Sequence, residues 1–232
     1  MELLLSALAA YLIGSIPFGL ILTRIAGHGD IRKIGSGNIG ATNVLRTGDK
    51  KLAVLTLLLD GVKGFASILL ARLILTPVIL GRNAYTDCLG GPCYDMTDVM
   101  LAVAWMGLAT IIGHVFPVWL KFKGGKGVAT TLGVWFGINP FIGGFAVVIW
   151  ILTAIISRRS SLAAIISILI TVLTLTAFEF VCWPVPGEAP VCTPPHYMML
   201  TSQWFIAALV IWRHKDNIKR LRAGTEPKIG KK

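Results

Sequence analysis

Charge is scarce in this chain. Only 14% of its 232 residues are Asp, Glu, Lys or Arg, against about a quarter in an ordinary soluble domain, and acids are the scarcer sign, 11 against 22 Lys and Arg. So little charge cannot coat a water-facing surface of this size, so lipid must be the solvent for most of the chain. Metal-site patterns are missing too: there is no zinc-type Cys/His spacing and no His-Glu-x-x-His, so no metal cofactor is expected. No Gly-x-Ser-x-Gly elbow surrounds Ser36, because Ile34 and Asn38 stand where both glycines would be needed. Five residues after His28, His114, His196 and His214 come Lys33, Trp119, Thr201 and Lys219, so a His-x-x-x-x-Asp pair is absent. These absences disfavour a covalent enzyme intermediate. Gly127 rather than Ser or Thr follows Lys126, which removes the Walker nucleotide site. With no internal repeat or low-complexity run, the chain reads as one domain, residues 1–232.

What the chain has in abundance is apolar sequence, 55% of its residues. Leu3 to Leu22, Leu52 to Leu75 and Val99 to Leu120 each supply the roughly 20 apolar residues that cross a bilayer core, and Leu162 to Phe178 and Met198 to Trp212 are shorter spans. The first run lacks a basic flank before it and a small-residue cleavage site after it, so a retained span is expected rather than a signal peptide.

The net charge of +11 resides in short loops and the tail, which is the pattern of positive-inside topology rather than of a nucleic-acid partner. Arg24 to Lys51 carries six Lys or Arg, Lys121 to Lys126 three, Arg158 and Arg159 a pair, and Arg213 to Lys232 eight, so all four should face the cytoplasm. The loops Thr76 to Asp98 and Glu179 to Tyr197 hold one Arg and all four cysteines, Cys88, Cys93, Cys182 and Cys192. Those belong on the oxidising side, with three pairings open. Both signals put the amino terminus outside and the carboxyl terminus inside.

Parity then constrains Val128 to Ile156, which must leave the cytoplasm and return to it. Gly137, Asn139, Pro140, Gly143 and Gly144 interrupt the segment, predicting two short legs as a thin helix pair or a re-entrant hairpin. A first leg of about 11 residues spans only about 16 Å. The expected fold is all-α, a polytopic membrane bundle of about seven helices.

Three cytoplasmic segments carry more than topology requires. Gly35-Ser36-Gly37-Asn38-Ile39-Gly40-Ala41-Thr42-Asn43 leads to Arg46, a glycine-rich stretch whose N–H groups can cup an anion, with neutral donors and a planar guanidinium suited to phosphate. Phe122-Lys123-Gly124-Gly125-Lys126-Gly127 enters the first leg, where a helix amino terminus favours an anion. The bland reading of both is a turn with snorkelling lysines. In Arg213-His214-Lys215-Asp216-Asn217, His214 and Asn217 share a face if the last helix continues. The clustered basic residues by themselves point only to anionic lipid. Asp60 and Lys63 stand three apart within an apolar span, where they must pair or face inward, and they read as a structural ion pair. His114 fits a hydrogen-bonded packing role as well as a ligand role, and Arg72 is expected to snorkel outward.

Taken in order, these segments, with Gly113-His114 and Arg220, resemble the three cytoplasmic motifs of the PlsY family, integral-membrane glycerol-3-phosphate acyltransferases that use acyl phosphate. The resemblance implies transfer of a fatty acyl group to the sn-1 hydroxyl of glycerol 3-phosphate, giving lysophosphatidate and inorganic phosphate for phospholipid synthesis at the bacterial inner membrane, with a cytoplasmic active site and no cofactor. Carried onto this sequence, it implies functional roles for Ser36, Arg46, Lys126, His214 and Asn217. The resemblance adds phosphate contacts from Gly124, Gly125 and Gly127 and structural support from Glu226, beside the phosphate contacts that the first segment's own chemistry gives Gly35, Gly37, Asn38 and Asn43 and the structural pair Asp60 and Lys63. Its implied partners are acyl phosphate, glycerol 3-phosphate and membrane lipid, with the acyl-phosphate-forming enzyme as a further candidate, and no nucleic acid. The alternative reading is a transporter of an anionic phosphorylated solute, since broken helices with glycine-rich ends occur in carriers. Against it stand the lack of an inverted repeat and the placing of every polar loop on one side.

Overall fold

A computed structural model describes residues 2–82, 84–88, 91–94, 96–178 and 197–229. Its helices are α1 (Glu2–Gly14), α2 (Phe18–Ile25), α3 (Ala41–Val44), α4 (Lys50–Arg82), α5 (Met96–Val115), α6 (Val128–Ile138), α7 (Pro140–Ser157), α8 (Ser160–Phe178), α9 (Tyr197–Arg213) and α10 (Lys215–Arg222). Among the described residues, five helical stretches are long and apolar enough to cross a membrane: Leu3–Ile25, Lys50–Leu75, Leu101–Leu120, Pro140–Ser157 and Ser160–Phe178. Large apolar side chains such as Phe141, Ile155 and Ile156 stand exposed on the bundle, as a lipid-facing surface requires.

The all-α expectation holds for the bundle, which carries one small appendage between α4 and α5. Strands β1 (Ala84–Cys88) and β2 (Gly91–Tyr94) form a small antiparallel hairpin that pairs Tyr85 with Cys93 and Cys88 with Gly91. Cys182 and Cys192 lie outside the described residues.

Local chemistry explains where the helices depart from the apolar runs. The first run is not continuous: Pro17 has no N–H, and the chain breaks between α1 and α2. The break leaves the Ile16 carbonyl without a helical donor, and Lys63 Nζ of α4 supplies one at 2.9 Å. The third span reaches Leu120 as expected, but its α-helical part ends at Val115, ahead of Pro117, and a 3-10 turn over Val118–Leu120 completes it. Tyr11 Oη donates to the Phe116 carbonyl at 2.8 Å, satisfying that exposed end.

Val128 to Ile156 forms two legs of unequal length. α6 is the expected half-helix of 11 residues, whereas α7, expected to be short, runs for 18. Asn139 makes the corner, accepting the Phe141 N–H at 2.8 Å with its side chain while Pro140 occupies the first turn. Arg72, half-buried, turns its Nη2 to the carbonyl of Ile138, the last residue of α6, at 2.5 Å.

α4 packs along α6, α1 along α5 and α7 along α8. The core they enclose includes Ile68, Ile111, Val134, Trp135, Ile206 and Val210. Within it the Trp135 indole donates to Gln203 Oε1 at 2.7 Å, tying α6 to α9 through two buried polar groups that satisfy each other.

Candidate active site

The first glycine-rich segment is held by one buried amide. Asn43 Nδ2 donates to the carbonyls of Ile31 at 3.0 Å, Ile34 at 2.9 Å and Asn38 at 2.8 Å. Its Oδ1 accepts the Ser36 N–H at 3.0 Å and the Ser36 hydroxyl at 3.3 Å. Asn43 was expected to offer donors to a phosphate. Instead it is buried, and both its amide hydrogens are committed to the loop's own backbone. Asn38 likewise turns its Oδ1 inward, to the Gly40 N–H at 2.8 Å. Gly35 has φ +54°, and a Cβ there would overlap the Arg46 side chain at 2.5 Å, so the absent side chain lets Arg46 lie across the loop. Gly35, Ser36, Gly37 and Arg46 remain at the surface.

The second segment is tied down in the same way. Gly124 N–H donates to the Val115 carbonyl at 3.1 Å and Gly125 N–H to that of His114 at 3.0 Å. Their own carbonyls accept from Arg213, Nη2 to Gly124 at 2.9 Å and Nε to Gly125 at 3.1 Å. The expectation that both glycines present free N–H groups to an anion therefore fails, because the chain has already paired them. They are glycine for space: a Cβ on Gly124 would overlap the His114 carbonyl, and one on Gly125 would overlap the His114 ring. Gly127, at φ +85°, turns the chain into α6 without a side-chain cap, leaving the first-turn N–H groups pointing away from the helix body. That end, rather than the double glycine, is the electropositive point.

Lys126 stands beside it. Its Nζ donates to Asn217 Oδ1 at 2.6 Å, and Asn217 Nδ2 donates to Glu226 Oε1 at 2.6 Å. Ser161 Oγ also donates to Oε1 at 2.6 Å, and Arg220 Nε donates to Oε2 at 2.7 Å. Glu226 thus braces Asn217, which aims its oxygen at the ammonium. Burial would raise the Glu226 carboxyl, but the Ser161, Asn217 and Arg220 donors outweigh it and hold it below its ordinary range. Burial pushes Lys126 down to about 8, opposed by Glu226 and aided by the charges of Arg220, Arg213 and Arg46. The influence of Arg46 on Lys126 means the first and second segments share one electrostatic field. Thr42 and Ser160 hydroxyls 3.4 Å apart join the first segment to the start of α8, next to Ser161.

The last helix does not continue straight past Arg213. It breaks at His214, and α10 restarts at Lys215, yet His214 and Asn217 are both buried facing the cluster. His214 Nδ1 lies 2.7 Å from the Val210 carbonyl, which can only accept, so Nδ1 carries the proton and Nε2 the lone pair of the neutral ring. Burial, with Lys126 nearby, lowers His214 to about 4.

Asp60 and Lys63 form the expected ion pair, Nζ to Oδ1 2.7 Å. Lys63 Nζ also lies 2.9 Å from His114 Nδ1, and His114 backs directly onto Gly125. The pair therefore buttresses the second segment. Sequence reasoning missed Ser161, the Arg213 clamp and the link through His114. Their partners are remote along the chain, and nothing local marks them.

A family model described as glycerol-3-phosphate acyltransferase matches residues 4–224. The glycerol-3-phosphate acyltransferase of Agrobacterium fabrum is 46% identical over 230 residues, covering 99% of this chain and 93% of that protein. That of Paramagnetospirillum magneticum is 44% identical over 232 residues, covering 100% and 96%. A crystal structure of PlsY (YgiH), an integral membrane glycerol 3-phosphate acyltransferase in its glycerol 3-phosphate form, matches with a TM-score of 0.76 at 35% identity, covering 99% of this chain and 96% of that one. The lysophosphatidic acid form of PlsY matches at 0.74 and 34%. Membership of an enzyme family sets aside the carrier reading of the broken helices. With its apolar spans, its three gathered polar segments and these relatives, the chain belongs to the glycerol-3-phosphate acyltransferase family of multi-pass membrane enzymes of lipid biosynthesis.

Proposed function

We propose that this protein transfers a fatty acyl group from acyl phosphate to the sn-1 hydroxyl of glycerol 3-phosphate, releasing lysophosphatidate and inorganic phosphate. The whole chain acts as one membrane-embedded domain of seven spanning helices in the bacterial inner membrane, with the amino terminus outside, the carboxyl terminus inside and the site at the cytoplasmic face. The observation that carries this reading is the Lys126 ammonium, set by Asn217 at 2.6 Å beside the amino terminus of α6, with the charges of Arg220, Arg213 and Arg46 acting on it. Such a concentration of positive charge suits two anions held together. The PlsY forms with glycerol 3-phosphate and lysophosphatidic acid support a substrate and product of that chemistry.

The α6 amino terminus and Lys126 take the glycerol 3-phosphate phosphate, while Arg46 and the exposed Ser36 loop face the donor phosphate. Holding both substrates in register supplies much of the acceleration, and acyl phosphate is already activated, so the reaction needs no cofactor. The attacking hydroxyl adds to the acyl carbon as the acyl C–O bond to phosphate breaks, and charge developing on the leaving phosphate meets the Arg46 guanidinium. A His214 held near 4 is a weak base at neutral pH. The hydroxyl proton therefore passes to the departing phosphate, and His214 Nε2 and Asn217 orient the acceptor.

The test is a purified-protein assay in detergent. Phosphate release requiring both acyl phosphate and glycerol 3-phosphate is the expected result. Equal rates with acyl-CoA, or release without the acceptor, would refute the reading.

A further inference from the structure

α6 is a short helix with the candidate phosphate site at one end and a buried carboxyl end at the other. Its 11 residues reach about 16 Å, from Gly127 beside Lys126 to Ile138 among the buried residues of the core. It runs parallel to α4, with Gly61 against Gly133, Gly64 against Thr130 and Ile68 against Gly137. These contacts bring backbones close, since a Cβ on Gly133 would overlap the Gly61 carbonyl and one on Gly137 would lie 2.7 Å from Ile68 Cβ. Close, small-residue contact holds two helices together but presents few ridges to resist sliding along their common axis. Parallel packing also sets like dipole ends side by side, which favours displacement.

One polar contact opposes both effects. Among the described residues, the side-chain hydrogen bond joining α4 to α6 is the one from Arg72 Nη2 to the Ile138 carbonyl, at 2.5 Å. A guanidinium at the carboxyl end of a helix satisfies an orphan carbonyl and complements the negative end of the dipole. Inside a membrane it is also the costly placement of a charge, which a purely apolar contact would have avoided. At the opposite end of the contact, Asp60 and Lys63 of the same helix support His114, which backs Gly125. α4 therefore grips the second segment and α6 at both extremities.

We propose that Arg72 is a positioning residue for glycerol 3-phosphate: by capping Ile138 it fixes the axial position of α6, and so sets where the Gly127 end and Lys126 meet the phosphate. It never touches substrate. The inference rests on the assignment of the acceptor phosphate to that end of α6. A displacement of about 1 Å at such an end is enough to cost around 10²-fold in a positioned reaction, and the first consequence is weaker acceptor binding.

The experiment compares wild type with Arg72→Leu and Arg72→Lys in detergent, measuring kcat, both KM values and hydrogen exchange along residues 131–138. The expected result for Arg72→Leu is a rise of about ten-fold or more in the KM for glycerol 3-phosphate, with the acyl-donor KM and kcat held within about three-fold and faster exchange along α6. Arg72→Lys should restore most of the affinity, since an ammonium can reach the same carbonyl. Unchanged acceptor KM and unchanged exchange would overturn the proposal. So would a loss shared equally by both KM values and kcat that Lys does not rescue, because that marks support of the fold alone. If Arg72→Leu does not yield folded protein, Arg72→Met is judged instead by the same readings, and an unchanged acceptor KM with unchanged exchange overturns the proposal. If wild type shows no acyl transfer, the functional reading fails, while the exchange comparison still decides whether Arg72 holds α6.

Discussion

Asn43 and Asn217 are the same residue type in matching polar segments, and they do opposite things. Asn43 spends its amide on three backbone carbonyls and becomes the internal frame of the first loop. Asn217 relays the Glu226 carboxylate to Lys126 and faces the site. Residue type marked both, but only the direction of the donors separates them. The ionisation of the site follows from the same contacts. Lys126 near 8 is protonated below that pH and neutral above it, and an anion is attracted only by the charged form. In the proposed reaction kcat/KM should therefore fall as pH rises through about 8, a limb that Lys126→Met abolishes along with about 10²-fold of the rate. His214 near 4 stays neutral across the same range, so no limb should stand near 6.5, and His214→Gln should keep the limb at 8. A steady-state pH profile of the three proteins from 5 to 9.5 measures all of this, and a limb near 6.5 that His214→Gln removes would make His214 the base.

At the level of elements, the decisive feature is how closely backbone meets backbone. The apolar periodicity and proline positions were enough to anticipate a half-helix from Val128, yet they gave α7 too few residues. A proline's steric effect is local and visible in sequence, whereas the length of a helix beyond it depends on what it packs against. Glycines show the same division. Gly133→Ala would drive a methyl group into the Gly61 carbonyl, a rigid backbone atom, while a methyl group on Gly144 in α7 would meet no heavy atom within 4 Å. Gly133→Ala should lower the Tm in detergent by several degrees or prevent recovery of monodisperse protein. Gly144→Ala should be neutral or stabilise by about 0.5–1 kcal/mol, the helix preference of Ala over Gly. Thermal melts of the two variants check the contrast, and equal Tm losses would refute it.

For the molecule as a whole, the proposed chemistry requires three segments far apart in the chain to open on the same side of the membrane. With the four native cysteines replaced, single cysteines at Ser36, Lys123 and Lys219, all exposed, should resist a membrane-impermeant thiol reagent applied to intact cells and react in inverted vesicles, and a cysteine added at the amino terminus should do the reverse. Reaction of any of the first three from outside would break the proposed orientation. The sequence by itself determined the solvent of the chain, the sidedness expected of its loops and which segments are candidates for phosphate chemistry, because hydropathy, charge counts and glycine-rich runs are properties of neighbouring residues. Only the tertiary structure decided which glycines have their N–H groups already paired and make room for a neighbour, that Ser161 and Arg213 tie the polar segments together, and that Arg72 caps α6. Those outcomes depend on hydrogen-bond partners as many as 89 residues apart, and a donor's partner is chosen by packing in three dimensions, where burial makes every unpaired polar group costly.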